Sequence, residues 1–94
     1  MRDSPAAGRV DRIRALVQDA LRPVQLEVGD ESAAHAGHAS AGSKGHFRVT
    51  VVSEQFAGMS RLERHRLIQG ILAPLFETDI HALALITRAP GETL

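Results

Sequence analysis

The chain has no cysteine. That excludes a disulfide framework, a zinc site built from thiolates, and a thiol nucleophile. Any metal site must draw on histidine and carboxylates, or on ligands lent by a partner. Tryptophan and tyrosine are absent and aromatic residues make up 3%, so the core has to be aliphatic. Eleven Lys and Arg are matched by eleven Asp and Glu. With no net charge there is no global field to draw in nucleic acid or an anionic membrane, and such a contact would need a local patch. No apolar run reaches transmembrane length, so no membrane partner is expected. The segment Met1 to Gly8 lacks the apolar core of a secretory signal, which points to a cytoplasmic location. A P-loop and a dinucleotide fingerprint are both missing. No nucleophile–base arrangement stands out among the serines and acids. The chain is therefore not expected to be an enzyme.

What remains is enough for one domain. Ninety-four residues, 44% of them hydrophobic, are too few for two domains, and the core is modest. Val10, Ile13, Leu16, Val17, Ala20 and Leu21 recur at spacings of three and four, the stripe of an amphipathic helix that Pro23 ends. Proline disfavours helical geometry in the residue before it, so Arg22 is expected to be extended. Val24, Leu26 and Val28 alternate with polar neighbours as a half-buried strand does. From Asp30 to Gly45 the composition turns to Ala, Gly, Ser and His, and no apolar face can be drawn. This reads as a long mobile loop over 31–45. Phe47, Val49 and Val51 give a second strand, antiparallel to the first. A turn or short helix follows over Ser53 to Gly58. Ser60 and Glu63 form a capping box that starts a helix at Arg61, with Leu67, Ile68, Ile71, Leu72 and Leu75 as its inner stripe. Pro74 disrupts the end of that helix. Ile80 to Thr87 is a third strand, apolar on both faces except at His81 and Thr87, and is expected to lie buried within the sheet. Ala89 to Leu94 reads as a short tail. The order helix, strand, strand, short helix, helix, strand is α+β. It predicts helices on one face of a three-stranded mixed sheet with a parallel crossover into the last strand. The ordered core is expected over about 8–90.

Five histidines carry most of the chemical information. His35 and His38 lie three apart among small side chains, free to approach a metal, and neutral imidazole binds iron, zinc or copper. Two loop histidines are also what an ordinary solvated loop contains, and a closed tetrahedral centre needs four ligands. His81 interrupts the most apolar stretch, where a polar ring costs free energy unless it is paired. It is either a strand-end histidine with a satisfied hydrogen bond or a ligand. His46 opens the second strand and is expected to be structural, paired across the sheet. Arg61, Arg64, His65 and Arg66 crowd the first turns of a helix, against its macrodipole. They either meet something anionic, or are solvated, with Arg61 paired to Glu54.

Several runs together resemble the BolA family. They are Leu26-Glu27-Val28-Gly29-Asp30-Glu31-Ser32, a His-bearing loop, Gly45-His46-Phe47-Arg48-Val49, Val51-Val52-Ser53, Phe56-Ala57-Gly58, Arg64-His65-Arg66 and Ile80-His81-Ala82-Leu83-Ala84-Leu85. The likeness spans roughly residues 10 to 90, in order. It implies a fold of type II KH topology, although the chain lacks the Gly-x-x-Gly loop with which KH domains clamp a nucleic-acid backbone. It also implies a monothiol glutaredoxin partner and a shared [2Fe–2S] cluster. The thiolates would come from the glutaredoxin and glutathione, with no cofactor expected on the isolated chain. Carried over by position, the ligands are His81 and a loop histidine, His35 in preference to His38. The family is also credited with DNA-binding transcriptional regulation, for which Arg61, Arg64, His65 and Arg66 would be the reading residues. Alone, the protein is expected to be a monomer or a weak homodimer.

Overall fold

Helix α1 spans Pro5–Leu21 in a computed structural model that describes residues 5–32 and 44–92. Proline suits a first helical position, where its missing N–H is no loss. Ile13, Val17 and Leu21, one turn apart, are at most 2% exposed, and Val10 and Leu16 pack beside them. Ala20 stays exposed. The helix closes in an unexpected way. Arg22 is not extended but left-handed, with φ 45°, and its N–H donates to Gln18 O at 3.0 Å. A residue that ends a helix by such a bond is usually glycine. Here the helix-closing bond outweighs the bias that Pro23 imposes.

Strand β1, Gln25–Asp30, runs antiparallel to β2, Gly45–Val52, and β2 runs parallel to β3, Ile80–Arg88. The order is β1-β2-β3, with β2 central. The register sets Leu26 and Val28 opposite Val51 and Val49, and Phe47, Val49 and Val51 opposite Leu83, Leu85 and Thr87. Side chains of paired residues share a face, so these form the helix-covered side. There Phe47, Val49 and Val51 are at most 1% exposed.

The expectation that β3 lies inside the sheet is corrected. It is an edge strand in which His81, Ala82 and Ala84 are exposed and Leu83, Leu85 and Ile86 half-buried. An apolar run on both faces mimics a central strand, but alanines on the open side lose little by meeting water.

Between β2 and β3 come a 3₁₀ turn at Glu54–Phe56, helix α2 at Arg61–Ile71 and the single-turn α3 at Ala73–Phe76. The expected capping box starts α2. Ser60 Oγ accepts from the Glu63 N–H at 3.1 Å, and the Glu63 carboxylate accepts from the Ser60 N–H at 2.8 Å, worth about 1 kcal/mol. Ile68, Leu72 and Leu75 complete the core. Pro74 does not merely fray α2. It sits in the first turn of α3, where it is tolerated. Ser53, fully buried, donates its hydroxyl to Leu21 O at 2.9 Å and so joins the end of α1 to the end of β2.

Of the expected tail, the described residues 89–92 are tied to the fold. Ala89 is buried, and Glu92 receives both arms of the Arg64 guanidinium at 2.7 Å each. Among the described residues, no helix is long and apolar enough to cross a membrane.

Candidate functional site

The register between β2 and β3 slips at one point. Gly45 pairs with Ile80 but His46 pairs with Ala82, so His81 is the extra residue of a bulge. Bulges re-aim side chains and are found near functional sites. Here the bulge leaves His81 exposed while Ile80 beneath it is 1% exposed and anchored in the core.

The backbone that carries the bulge is held from behind. Asp79 O accepts the Gly45 N–H at 2.9 Å. Its carboxylate takes Arg12 Nη2 at 3.0 Å and Nε at 3.3 Å, Arg9 Nε at 3.3 Å and the Thr78 hydroxyl at 3.1 Å. The Arg12 bonds hold the Asp79 carboxyl below its ordinary range, against the upward push of burial. Two arginines of α1 thus fix the residue two before His81.

The described ends of the β1–β2 connection, Glu31 and Ser32 on one side and Lys44 on the other, lie beside this bulge. Ser32 N–H donates to Asp30 Oδ1 at 2.9 Å, and Ser32 Oγ accepts the His46 N–H at 3.0 Å. Glu31 N–H donates to His46 O at 2.7 Å, and Arg48 Nε reaches the Glu31 carboxylate at 2.9 Å. On the returning side Lys44 Nζ donates to Phe76 O at 3.0 Å. The His46 and His81 rings meet with centroids 5.2 Å apart, tilted by 55°. A hollow of about 170 Å³ opens beside them, lined by Glu31, His46, Phe47 and residues Ala82 to Ala84. His35 and His38 lie outside the described residues.

His46 is the residue whose place the sequence did not reveal. It does pair across the sheet, but its partner is the candidate ligand itself. In the sheet His46 lies opposite Ala82 and its ring reaches the bulged neighbour His81, a contact that no local pattern in the sequence marks. Among the described residues no three His, Asp or Glu side chains converge as a metal cage. As a donor set, the single exposed imidazole of His81 would supply only part of a coordination sphere, which suits a group shared with another molecule better than a closed site of this chain.

The four basic residues of α2 divide. Arg64 is turned inward. Besides Glu92, its guanidinium donates to Met59 O at 3.0 Å and Thr87 O at 3.4 Å and lies 5.6 Å from the Phe56 ring centroid. The Arg64 bonds to Glu92 itself depress that carboxyl to about 2, helped by the Ala89 N–H. Arg61 and Arg66 are exposed and His65 half-buried. No ion pair joins Arg61 to Glu54 among the described residues. The outward basic surface is therefore Arg61, His65 and Arg66.

The comparisons with known proteins agree with this architecture. The family model described as "BolA-like protein" matches residues 17–92. The chain is 47% identical over 90 residues to mouse BolA-like protein 1, covering 95% of this chain and 64% of the mouse protein. It thus spans less than two thirds of that relative's length. It is also 47% identical over 77 residues to the DNA-binding transcriptional regulator BolA of Escherichia coli K12, covering 82% and 71% of the two chains. The solved BolA domain of SufE1 from Arabidopsis thaliana superposes with TM-score 0.81 at 41% identity, over 90% of this chain and 95% of that one. The bulge, helix α2 and every buried core residue but Ile13 fall within the matched span, and the chain belongs to the BolA family.

Proposed function

We propose that this chain is an adaptor that binds a monothiol glutaredoxin and co-ligates a [2Fe–2S] cluster with it, in iron–sulfur cluster trafficking or iron regulation. The glutaredoxin and glutathione would provide the thiolates this chain lacks. His81 and one loop histidine, His35 or His38, would provide the remaining ligands. The observation that carries the reading is the exposed His81 imidazole on a braced bulge at the loop mouth. The Asp79–Arg12–Arg9 cluster keeps the backbone at Ile80 from shifting, so the ring is presented from a rigid base. His46 limits the directions in which the His81 ring can turn. A cluster held by mixed histidine and thiolate ligands has a raised potential and is sensitive to protons.

The test is reconstitution with a monothiol glutaredoxin, glutathione, iron and sulfide, followed by visible circular dichroism. Addition of this chain should change the spectrum of the glutaredoxin-bound cluster, and His81→Ala should change it again. A variant spectrum identical to wild type would remove His81 from the site.

A second reading is DNA-binding regulation, favoured by the name of the E. coli relative and by exposed Arg61 and Arg66 at the start of α2. With so few cations and zero net charge, affinity should be low and fall steeply with salt. No measurable binding at low ionic strength would end it.

A further inference from the structure

We propose that the outer edge of β3 is a docking strand for an extended, acidic polypeptide segment, a role separate from any cluster chemistry at His81. The argument starts from backbone direction. Arg88 O accepts the Ser53 N–H at 2.9 Å, so Arg88 faces β2. In a parallel ladder the N–H and C=O of one residue point the same way and alternate along the strand. Ile86, Ala84 and Ala82 therefore face β2 as well, and Thr87, Leu85 and Leu83 face outward. Thr87 O is met by Arg64 Nη1 at 3.4 Å. For Leu83 and Leu85 no outward backbone partner is found among the described residues.

Exposed edges are normally blunted by charge, proline or a covering group. β1 follows that rule. Its run Gln25 to Asp30 includes two acids, and Arg14 Nη1 covers Leu26 O at 3.4 Å. The β3 run from Ala82 to Thr87 contains neither charge nor proline. Such an edge invites strand addition, in which main-chain bonds give affinity and side pockets give selectivity.

A side pocket is present. A hollow of about 270 Å³ is lined by Arg61, His65, Leu85, Ile86 and Thr87. Leu85 and Ile86 point to opposite faces of the sheet, so a hollow touching both lies along the edge itself. Arg61 and His65, one helical turn apart, form its polar wall. No acid lines the hollow, and Glu92 is paired with Arg64 while Glu63 serves the Ser60 cap. The charged residue that lines the hollow is Arg61, and an acidic side chain complements it. Single-stranded nucleic acid fits poorly, because stacking needs accessible rings. The chain has no Trp or Tyr, Phe47 and Phe56 are buried, and no phenylalanine lines the hollow.

The experiment is a titration of ¹⁵N-labelled protein, without iron or glutaredoxin, with the peptide acetyl-Thr-Val-Glu-Val-Asp-Val-Thr-amide. Saturable amide shifts should centre on Leu83, Leu85, Thr87, Arg61 and His65, with a Kd of about 1 mM or tighter. Hydrogen exchange at Leu83 and Leu85 should slow. Replacing both peptide acids by Lys, or Arg61→Glu in the protein, should weaken binding roughly tenfold. Arg61 is exposed at a helix start, where Glu is well tolerated, so the variant keeps its fold. Four results would overturn the proposal: no saturable shift up to about 5 mM peptide, equal binding of the Lys peptide, the same shifts from an oligothymidylate at lower concentration, or edge shifts that follow protein concentration without peptide, the mark of self-pairing. None of these touches the cluster reading, whose readout is the visible spectrum.

Discussion

Adding one methyl group at the mouth of the loop should test how tightly it is built. Gly45 is buried where the chain re-enters β2. A Cβ there would lie 2.5 Å from Ser32 Oγ and 3.0 and 3.1 Å from Cε2 and Cζ of Phe47. The Phe47 ring, 1% exposed in the core, has little room to yield. Ser32 Oγ can rotate away, but it is the acceptor for the His46 N–H, and rotation breaks that bond. Overpacking costs about 1–3 kcal/mol and the lost bond about 1 kcal/mol. Alanine stiffens the unfolded chain and returns about 0.4–1 kcal/mol. Gly45→Ala should therefore destabilise by about 2 kcal/mol, out of about 5–15 kcal/mol for a domain. The midpoint should fall by roughly 10 °C. Urea unfolding of Gly45→Ala, Ser32→Ala and the double variant closes a cycle. Ser32→Ala alone should cost about 1 kcal/mol. The double variant should be less costly than the sum, because the clash with Oγ is gone and the bond is lost only once. A Gly45→Ala protein within about 0.5 kcal/mol of wild type, or strict additivity, would refute the packing argument.

Three further outcomes follow from the same structure. Arg22→Gly should raise stability by about 1 kcal/mol, since glycine adopts the left-handed conformation at that helix end without strain, and an unchanged or lower urea midpoint would contradict it. Ser53→Ala should cost about 1–3 kcal/mol by leaving Leu21 O without its buried donor, measured in the same way. Glu92 has a folded pKa of about 2 against an ordinary 4.5. Its contribution is thus complete above pH 4.5 and lost as pH falls toward 2. Asp79, also lowered, loses its share in the same direction. Glu92→Gln should flatten part of that acid slope in thermal scans between pH 5 and about 2, and an unaltered slope would contradict the assignment.

Local rules made much of this fold legible. The spacing of Ile13, Val17 and Leu21, the alternation of Phe47, Val49 and Val51 and the Ser60–Glu63 box each encode an element through nearest neighbours. What escaped depends on contacts distant in sequence. Glu92 looks like tail, and only the folded chain brings it to Arg64, 28 residues away. Two hydrophobic faces suggested a central strand for β3, because hydropathy does not say which strand is last in a sheet. The Asp79–Arg12 pair, 67 residues apart, cannot be seen in periodicity at all. At the candidate site, His81 stood out as a polar break in an apolar run. Its contact with His46 required the parallel register, and the bulge that turns it outward has no local sequence mark.

The most direct measurement is pulsed EPR on the reduced complex of cluster, monothiol glutaredoxin and this chain labelled with ¹⁵N only in histidine. A strong ¹⁵N coupling should appear with wild type, persist in full in His46→Ala, and lose the His81 contribution in His81→Ala while that of the loop histidine remains. Because His81 is exposed, that last variant should fold within about 0.5 kcal/mol of wild type. A complex that forms without any ¹⁵N coupling, or a coupling that survives His81→Ala unchanged, would contradict the assignment of His81 to the iron.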